Sequence, residues 1–451
     1  MDNGYPLLEI TMNNILGNTF TCPGCGQKHH VSTEKLLFTH DLLHDIVDIL
    51  HLDKALKRIV LIADSRTIAL LGKDVASYLV KSFFNVNTII VPDINGHSPQ
   101  CDDETMAKLS KQISDCDALL AVGSGVINDL TKWISHERHI PYYVVATAAS
   151  MNGYASANVA ASVKGVKILL NATAPKCVFV SPPVIENAPD ELTSAGLGDA
   201  LAKPVSSADW KLNNILFNEY FCPFAVEIVE DFETTYFDHP EKIKQKDPET
   251  LKALFKTLFY SGIAMTIAGT SAPASGGEHL LSHTLDMLAY RDGKQHDLHG
   301  RQVGVGTVLS AALYEKVFAE QKITWQKLPR EIDTQFWGSL SAEVSKQYKE
   351  KLVKADLAYN ILQEPGKWEE IKEEIKPHLR DPAKIKNCLQ QAGAAYQIKD
   401  ICDLNEEEFT NTWLKSHQMR ARFTILDLAF MAGVLPDNAG TIVCRLALAA
   451  A

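Results

Sequence analysis

The sequence lacks the excess of positive charge that nucleic-acid-binding proteins carry. Its 451 residues include 44 lysines and arginines against 55 aspartates and glutamates, so the formal net charge is −11. Because binding to a phosphate backbone depends on clustered basic side chains, this composition argues against nucleic acid as a partner.

The sequence also lacks an uninterrupted run of about 18 apolar residues, the length that a helix needs to span a bilayer. The segment from Met1 to Leu16 contains Asp2 and Glu9 and shows no basic stretch followed by an apolar stretch, the pattern of a secretory signal. Lysine and arginine are scattered rather than gathered on one amphipathic helix. We therefore expect a soluble, cytoplasmic protein that does not insert into membranes.

A disulfide framework is not indicated, because the nine cysteines are odd in number and scattered over a long chain. Only Cys22 and Cys25, separated by Pro-Gly and followed by His29 and His30, resemble part of a zinc site. No second pair of the CxxC or CxxH type follows within about 12 to 20 residues. The favoured interpretation is a tight Pro-Gly turn between two short strands, and labile metal binding is the alternative.

The first part of the chain alternates short apolar runs with segments of helical length. At roughly 150 residues per domain, the length predicts two or three domains. Strands are predicted at residues 59–63, 88–91, 118–122 and 142–145, and helices at 67–82, 104–114 and 127–135. This alternation is typical of a parallel α/β sheet that is covered by helices on both faces.

Beyond about Asn187 the β-branched residues fade, and long segments rich in Ala, Leu, Glu and Lys predict helices at residues 251–268, 337–362 and 406–432. The charged region 321–399 has no glycine motif and is interpreted as solvated helices and linkers. We predict an α/β dinucleotide-binding domain over residues 1–187 and an all-α domain over residues 188–451, which would bind metal and substrate.

A glycine-containing turn follows the predicted strand 118–122 and leads directly into a helix. Backbone N–H groups at this turn and the positive end of the helix dipole favour a pyrophosphate. The turn is neither a GxGxxG fingerprint nor a P-loop, so a purely structural βα turn stays an open alternative. The candidate cofactor-binding residues at this turn are Gly123, Ser124, Gly125, Val126, Ile127, Asn128 and Asp129.

The next predicted strand ends in a cluster of small hydroxyl residues, Thr147, Ser150 and Ser156. Ligands of open α/β sheets bind at the carboxyl edge of the strands, where these hydroxyls could contact phosphate, ribose or a nicotinamide amide. A Ser/Asn-rich turn without a ligand is the alternative.

Four histidines lie close together in the second half of the chain: His279, His283, His296 and His299. On a helix, His279 and His283 project from one face because they are four residues apart. With an aspartate from elsewhere, such a cluster matches the ligands of a catalytic divalent metal. A metal of this kind can polarise a carbonyl or stabilise an alkoxide, which suits hydride transfer. A single histidine would instead be interpreted as structural.

Taken together, these blocks resemble the sn-glycerol-1-phosphate dehydrogenases, especially their bacterial branch, within the superfamily of iron-containing alcohol dehydrogenases and dehydroquinate synthase. The resemblance spans nearly the whole chain. It is carried by the stretches CPGCGQKH, GSGVINDLTKW, VATAASMNGYAS, LTSAGLGDALAKPVSSADW, SGGEHLLSH, HGRQVGVGT and MRARFTILDLA. It implies the dehydroquinate synthase-like fold, NAD or NADP as cofactor and one divalent metal, Zn, Ni or Fe.

Position by position, the resemblance implies Asp199, His279 and His299 as metal ligands and His283 as the residue that relays the hydroxyl proton. Lys203, which alone would suggest only a surface pair, becomes a candidate contact for a substrate phosphate. Asp64 would meet the adenosine ribose and favour NAD. His296 has no implied role, and a solvent-facing loop histidine is expected.

Two residues depart from the family pattern. Asn152 stands where an aspartate usually contacts substrate, and Arg301 replaces the usual glutamate after His299-Gly300. An amide keeps hydrogen bonding but loses the negative charge.

The predicted reaction interconverts dihydroxyacetone phosphate and sn-glycerol 1-phosphate in a homo-oligomer. A related polyol or sugar-phosphate dehydrogenase, a dehydroquinate synthase-like cyclase and a non-catalytic binding protein of the same fold are the alternatives.

Overall fold

A computed structural model describes residues 12–94, 96–230 and 232–447. Six parallel strands form the main sheet in the order β3-β10-β7-β6-β4-β5, and two antiparallel hairpins, β1-β2 and β8-β9, lie outside it. The strands are β1 Thr19–Thr21, β2 Lys28–His30, β3 Lys35–Phe38, β4 Arg58–Asp64, β5 Asn85–Val91, β6 Ala118–Gly123, β7 Tyr142–Ala146, β8 Asn158–Val163, β9 Val166–Asn171 and β10 Cys177–Val180.

Burial explains why the central strands read as continuous apolar runs. Every residue of β6 and β7 is buried, as expected where helices cover both faces of a parallel sheet. Leu120 pairs with Leu61 of β4 on one side and with Tyr143 of β7 on the other. The parallel sheet predicted from the sequence is therefore confirmed.

The strand order creates a switch point beside β4. The chain passes from β4 to β5 at one edge of the sheet and then returns to place β6 on the other side of β4. Ligands of open α/β sheets bind where the order reverses in this way, at the carboxyl ends of the strands. In this chain those ends carry Asp64 on β4 and Gly123 on β6.

Helices accompany the sheet and make up the chain after it. They are α1 Met12–Ile15, α2 Leu42–Leu52, α3 Ser65–Thr67, α4 Lys73–Lys81, α5 Asp103–Gln112, α6 Gly125–Arg138, α7 Pro182–Glu186, α8 Asp190–Leu201, α9 Lys203–Phe217, α10 Pro223–Glu230 and α11 Glu233–Phe237. They continue as α12 Glu241–Lys244, α13 Pro248–Ala268, α14 Gly277–Arg291, α15 His299–Ala319, α16 Thr334–Trp337, α17 Ser341–Leu362, α18 Lys367–Ile375, α19 Pro382–Gln391, α20 Glu406–Ser416, α21 Ile425–Met431 and α22 Ala439–Ala447.

Two of the predicted helices are interrupted. A wider helical turn at Ile68–Gly72 separates α3 from α4, so residues 67–82 do not form one regular helix. The predicted helix 406–432 is divided into α20 and α21. Helix α21 begins afresh at Thr424, whose backbone N–H donates to the Asp427 carboxylate at 2.8 Å. Local capping therefore overrides helix propensity at that point.

One hydrophobic cluster contains residues from both the sheet and the helical part, so the two parts share a core. Helix α13 is long and apolar enough to cross a membrane by length and composition, but 78% of its apolar window is buried inside the protein. It therefore packs mainly in the core. Within the described residues the last strand ends at Val180, whereas the predicted domain division at residue 187 stays a prediction.

Candidate functional site

Three elements of the helical part bring together the side chains of Asp199, His279 and His299. Helix α8 carries Asp199, the first turn of α14 carries His279, and His299 begins α15. The Asp199 Oδ1 atom lies 3.7 Å from His279 Nε2 and 3.9 Å from His299 Nε2. Their donor atoms therefore converge on one point.

Glycine makes this convergence possible where α8 packs on α15. A Cβ atom at Gly198 would lie 2.0 Å from the backbone oxygen of Gly300, and one at Gly300 would lie 1.9 Å from that of Ala195. Since neither position has room for a side chain, only glycine allows the two backbones to approach this closely. Asp199 follows Gly198 and His299 precedes Gly300 in sequence. The close approach of the two backbones therefore places Asp199 beside His299.

Buried polar groups fix the orientation of both imidazole rings. His279 Nδ1 is 2.8 Å from Glu278 Oε1, and His299 Nδ1 is 2.8 Å from Ser282 Oγ. The Ser282 hydroxyl donates to Gln302 Oε1 at 2.7 Å, so its oxygen is free to accept from His299. Each ring thus donates through Nδ1 and turns its Nε2 lone pair toward Asp199, the arrangement usual for histidine ligands of metals.

Burial tunes the charge of the three groups. It raises the pKa of Asp199 to about 7. Burial, assisted by the positive charges of Arg420 and Arg422, lowers the pKa of His279 to about 3. The pKa of His299 is also lowered well below its usual value by burial. Both imidazoles are therefore neutral at pH 7, as metal ligands must be.

The donor set fits a divalent metal. Asp199 Oδ1 is buried and has no hydrogen-bond partner within the described part of the chain, so a carboxylate oxygen at this point lacks a compensating charge. Unpaired buried carboxylates are strongly destabilising, and a cation between the three donors removes that cost. The separations of 3.7 and 3.9 Å also suit an ion with bonds of about 2.0–2.2 Å.

The loop after β7 connects this cluster to the sheet edge. The backbone N–H of Asn152 donates to Asp199 Oδ2 at 3.0 Å, and that of Thr147 donates to the backbone oxygen of Gly123 at 3.2 Å. Asn152 thus holds the aspartate through its backbone. The loop that carries Ser150 lies between the Gly123 turn and the three donor groups.

The glycine-containing turn stands at the switch point of the sheet. Gly123 ends β6, Ser124 is the N-cap of α6, and residues 125–129 form its first turns. A Cβ atom at Gly123 would lie 2.7 Å from Ile127 Cβ, so the turn needs glycine for tight packing. Helix α6 therefore points its N-terminus at the carboxyl edge of the sheet, where an anion is favoured.

Hydrogen bonds within the protein already engage several of the candidate cofactor residues, Asp64 and Ser156 among them. Asp64 caps α3, because its Oδ1 accepts from the N–H groups of Arg66 at 2.9 Å and Thr67 at 2.8 Å. Ser156 is buried and accepts from Lys132 Nζ at 3.1 Å. Their contacts with a cofactor stay predictions.

The other candidate residues lie in different surroundings. His283 stacks on His299 with ring centroids 5.3 Å apart, and its Nδ1 has no hydrogen-bond partner within the described residues. Burial lowers its pKa well below the usual value. Lys203 instead lines a cavity of about 290 Å³ that does not include the three donor groups. Its proposed contact with a substrate phosphate stays a prediction.

His296 and Arg301 both have structural partners. His296 Nδ1 lies 3.1 Å from Asp286 Oδ1, and its side chain, on the loop before α15, is 26% exposed, so this loop histidine faces solvent only in part. Arg301 donates to Asp297 Oδ2 at 2.8 Å and to the backbone oxygen of Asp400 at 2.5 Å. These contacts direct the unusual arginine toward the 396–400 segment.

Several polar residues near the three donors were missed in the sequence. Glu278 and Ser282 received no role, although the first precedes His279 and the second lies one turn later. Arg420 was also missed. It lines a cavity of about 600 Å³ together with Lys167. The lining of this cavity also leaves out the three donor groups, but the charge of Arg420 lowers the pKa of both His279 and His283. The arginine pair in the stretch MRARF was the available signal.

Known proteins resemble this chain over most of its length. Residues 38–189 match the family described as iron-containing alcohol dehydrogenase. The glycerol-1-phosphate dehydrogenase [NAD(P)+] of Geobacillus stearothermophilus is 32% identical over 340 residues, which cover 75% of this chain and 84% of the relative. The enzyme of the same name from Bacillus licheniformis is 27% identical, covering 95% and 98%. This chain belongs to the glycerol-1-phosphate dehydrogenase family.

Solved structures place the family's fold among the iron-containing alcohol dehydrogenases. Glycerol dehydrogenase of Schizosaccharomyces pombe matches with a TM-score of 0.57 and 14% identity, covering 92% of this chain and 91% of that one. NADH-dependent butanol dehydrogenase A of Thermotoga maritima matches with a TM-score of 0.59 and 16% identity, covering 94% and 99%. The predicted family and fold class are thus both confirmed.

Proposed function

We propose that this member of the glycerol-1-phosphate dehydrogenase family is a metal-dependent, NAD(P)-linked dehydrogenase. It interconverts dihydroxyacetone phosphate and sn-glycerol 1-phosphate. The observation that carries the proposal is the convergence of Asp199, His279 and His299, linked by the Asn152 loop to the carboxyl edge of the nucleotide-binding sheet.

Asp199, His279 and His299 would hold the divalent ion, Zn²⁺, Ni²⁺ or Fe²⁺. When bound, the ion supplies charge stabilisation for the oxygen of the reacting carbon, and the nicotinamide supplies or accepts the hydride. Glu278 and Ser282 keep both imidazole rings in the ligand orientation.

The cofactor pyrophosphate would lie at the N-terminus of α6, over residues 123–129. Thr147, Ser150 and Ser156 remain candidate contacts for the rest of the dinucleotide. Asp64 stands where the adenosine ribose is expected, but Arg66 adjoins it and is held by Asp93 at 2.9 and 3.1 Å. An arginine at this place can also accommodate a 2′-phosphate, so we propose that the enzyme accepts both NADH and NADPH.

Arg420 is our candidate for the substrate phosphate. It forms no hydrogen bond or ion pair with the described part of the protein, whereas Arg422 beside it is tied to Ser271 Oγ at 3.0 Å. Burial and the charge of Arg422 lower the pKa of Arg420 to about 10, so it stays charged at pH 7. A partly buried guanidinium that pairs with no carboxylate of the described residues favours a phosphate, which it can bind through two parallel hydrogen bonds.

His283 would move the hydroxyl proton. Its neutral ring lies one helical turn from His279, and its unpartnered Nδ1 can accept or donate a hydrogen bond. Asn152 would contact a substrate hydroxyl through its amide, while its backbone keeps hold of Asp199.

The test measures the oxidation of NADH and of NADPH by dihydroxyacetone phosphate. The reaction is monitored by the loss of absorbance of the reduced nicotinamide. The metal is first removed and Zn²⁺, Ni²⁺ or Fe²⁺ is restored separately. We expect turnover that depends on the metal and yields sn-glycerol 1-phosphate. As the control, a stereospecific assay for sn-glycerol 3-phosphate should not detect the product. No turnover with any metal, despite measurable NAD(P) binding, would contradict the proposed substrate.

A further inference from the structure

A second group of metal-binding side chains lies outside the catalytic region. Cys22, Cys25, His29 and Cys222 place their donor atoms within 4.8 Å of one another. Cys22 Sγ is 3.4 Å from Cys222 Sγ, and Cys25 Sγ is 3.2 Å from His29 Nε2. A tetrahedral ion with bonds of about 2.3 Å to sulfur and about 2.0 Å to nitrogen needs donor separations of this size.

The chain around the first two cysteines is folded as a tight loop. The backbone N–H of Cys22 donates to the Gln27 oxygen at 2.8 Å, and that of Gly26 donates to the Cys22 oxygen at 2.9 Å. Gly26 has a φ of 71°, which a residue with a side chain rarely adopts. The loop thus holds Cys22 and Cys25 close together, with both sulfurs in the same cluster of donor atoms.

The fourth donor comes from a distant part of the sequence. Cys222 lies 200 residues after Cys22, directly before α10, and both side chains are buried. A Cβ atom at Gly24 would lie 2.6 Å from the backbone nitrogen of Phe224, so the loop packs closely against the start of α10. The fourth ligand that the local sequence lacks is therefore supplied by the helical part.

We infer that Cys22, Cys25, His29 and Cys222 bind one structural zinc ion. Three thiolates and one imidazole form a closed set of four ligands, which leaves no position for substrate. The three thiols lose their protons to solvent on binding, and no oxidation or reduction is involved. The tight Pro-Gly turn predicted from the sequence is present, and it also presents two of the ligands.

A zinc ion at this place would join the β1-β2 hairpin to the helical part. Tyr220 lies next to the four ligands, with its hydroxyl 3.2 Å from Cys25 Sγ and 3.2 Å from His29 Nε2. Its backbone oxygen accepts from Trp210 Nε1 at 2.7 Å, and both aromatic residues line the cavity that contains Arg420. The ion would thus stabilise one wall of that cavity without taking part in the reaction.

The experiment counts zinc per chain by mass spectrometry in purified full-length variants. His279→Ala removes a ligand of the other cluster, so its protein should keep one zinc per chain. Adding Cys25→Ser to it should remove this zinc and lower the unfolding temperature. His30→Ala is the matched control. His30 follows the ligand His29 in β2, so its side chain points to the opposite face of the strand, where its Nδ1 lies 3.1 Å from Thr19 Oγ1. It should leave the zinc content unchanged.

Three results would overturn the inference: no zinc in the His279→Ala protein, equal zinc after Cys25→Ser, or iron in place of zinc. A Cys22–Cys222 disulfide, detected by peptide mapping without reductant, would also overturn it. If Cys25→Ser fails to fold, the His279→Ala protein is titrated with a mercurial reagent in the presence of a zinc-sensitive dye. Release of one zinc per chain as thiols react supports the site, and modification without release contradicts it.

Discussion

The two clusters of metal-binding side chains differ in both the number and the kind of their donors. The Asp199 cluster offers one carboxylate and two imidazoles from three helices, so an ion there would keep open positions. The Cys22 cluster offers three sulfurs and one imidazole, which complete a tetrahedron. The comparison teaches that donor count separates a site suited to chemistry from one suited to holding the fold together.

The surroundings of the two clusters differ in the same sense. Around Asp199, polar side chains such as Glu278 and Ser282 orient the ligands, and charged residues lie close by. Around the Cys22 cluster, the rings of Phe20, Tyr220 and Phe224 pack against one another or against His29. Polar and charged side chains thus surround the Asp199 cluster, whereas packed aromatic rings surround the Cys22 cluster.

The largest effect should come from removing a ligand of the Asp199 cluster. Because a metal ion stabilises charge in the transition state by several kcal/mol, His279→Ala should lower turnover by at least about a hundredfold. Metal content should fall by one ion per chain, with the zinc of the Cys22 cluster retained. His296→Ala is the control, since that histidine pairs with Asp286. Unchanged metal content and rate in His279→Ala would remove this residue from the site.

A change beside the same ligand should sharpen the distinction between the clusters. Glu278→Gln weakens the acceptor for His279 Nδ1, and such changes typically lower metal affinity or activity by about 10- to 100-fold. We expect this loss for the metal that supports turnover and none for the Cys22 cluster. Metal titrations that coincide with those of the wild type would show that Glu278 does not orient the ligand.

The phosphate assignment predicts an effect on substrate affinity rather than on metal. Hydrogen bonds to charged groups contribute about 1.5–3 kcal/mol, so Arg420→Ala should raise the KM for dihydroxyacetone phosphate by roughly 10- to 150-fold. Lys354 lines the same cavity but is already paired with Glu219, which makes Lys354→Ala a matched control. Equal KM values for Arg420→Ala and wild type would place the phosphate elsewhere.

The smallest effect is expected at Asn152. Its backbone holds Asp199 and is unaffected by the side chain, so Asn152→Asp should alter kcat or KM for dihydroxyacetone phosphate by only a few fold. Binding of NAD(P)H, measured by fluorescence, should persist. Kinetics identical to the wild type would remove the amide from the substrate site.

The parts of the fold set by local pattern were predictable, and those set by distant contacts were not. Buried strands such as β6 are visible in the sequence as apolar runs. The turn at Gly123 is visible because it comes directly after such a run. The division between α20 and α21 depends on Asp427, which caps α21 and pairs with the buried Lys351 at 2.9 Å. That pairing joins residues far apart in sequence, so periodicity alone did not reveal it.

The same limit applies to the candidate sites. The resemblance named Asp199, His279 and His299, and the structure brings them together, but it gave no role to Arg420 or Glu278. The cysteine pair at 22 and 25 was visible, whereas its partner Cys222 is alone in the sequence and looks like any buried cysteine. The meeting of the two segments is visible only in the structure, where Gly24 packs against Phe224 and the sulfurs of Cys22 and Cys222 lie 3.4 Å apart.

The packing of Gly24 against Phe224 also constrains the order in which the protein folds during synthesis. The loop of Gly24 packs against Phe224, which is synthesised about two hundred residues after the loop. At ~5–20 residues per second, the loop must wait on the order of ten seconds or more with its thiols uncovered. The β1-β2 hairpin therefore cannot reach its packed position until the segment that begins α10 has been made.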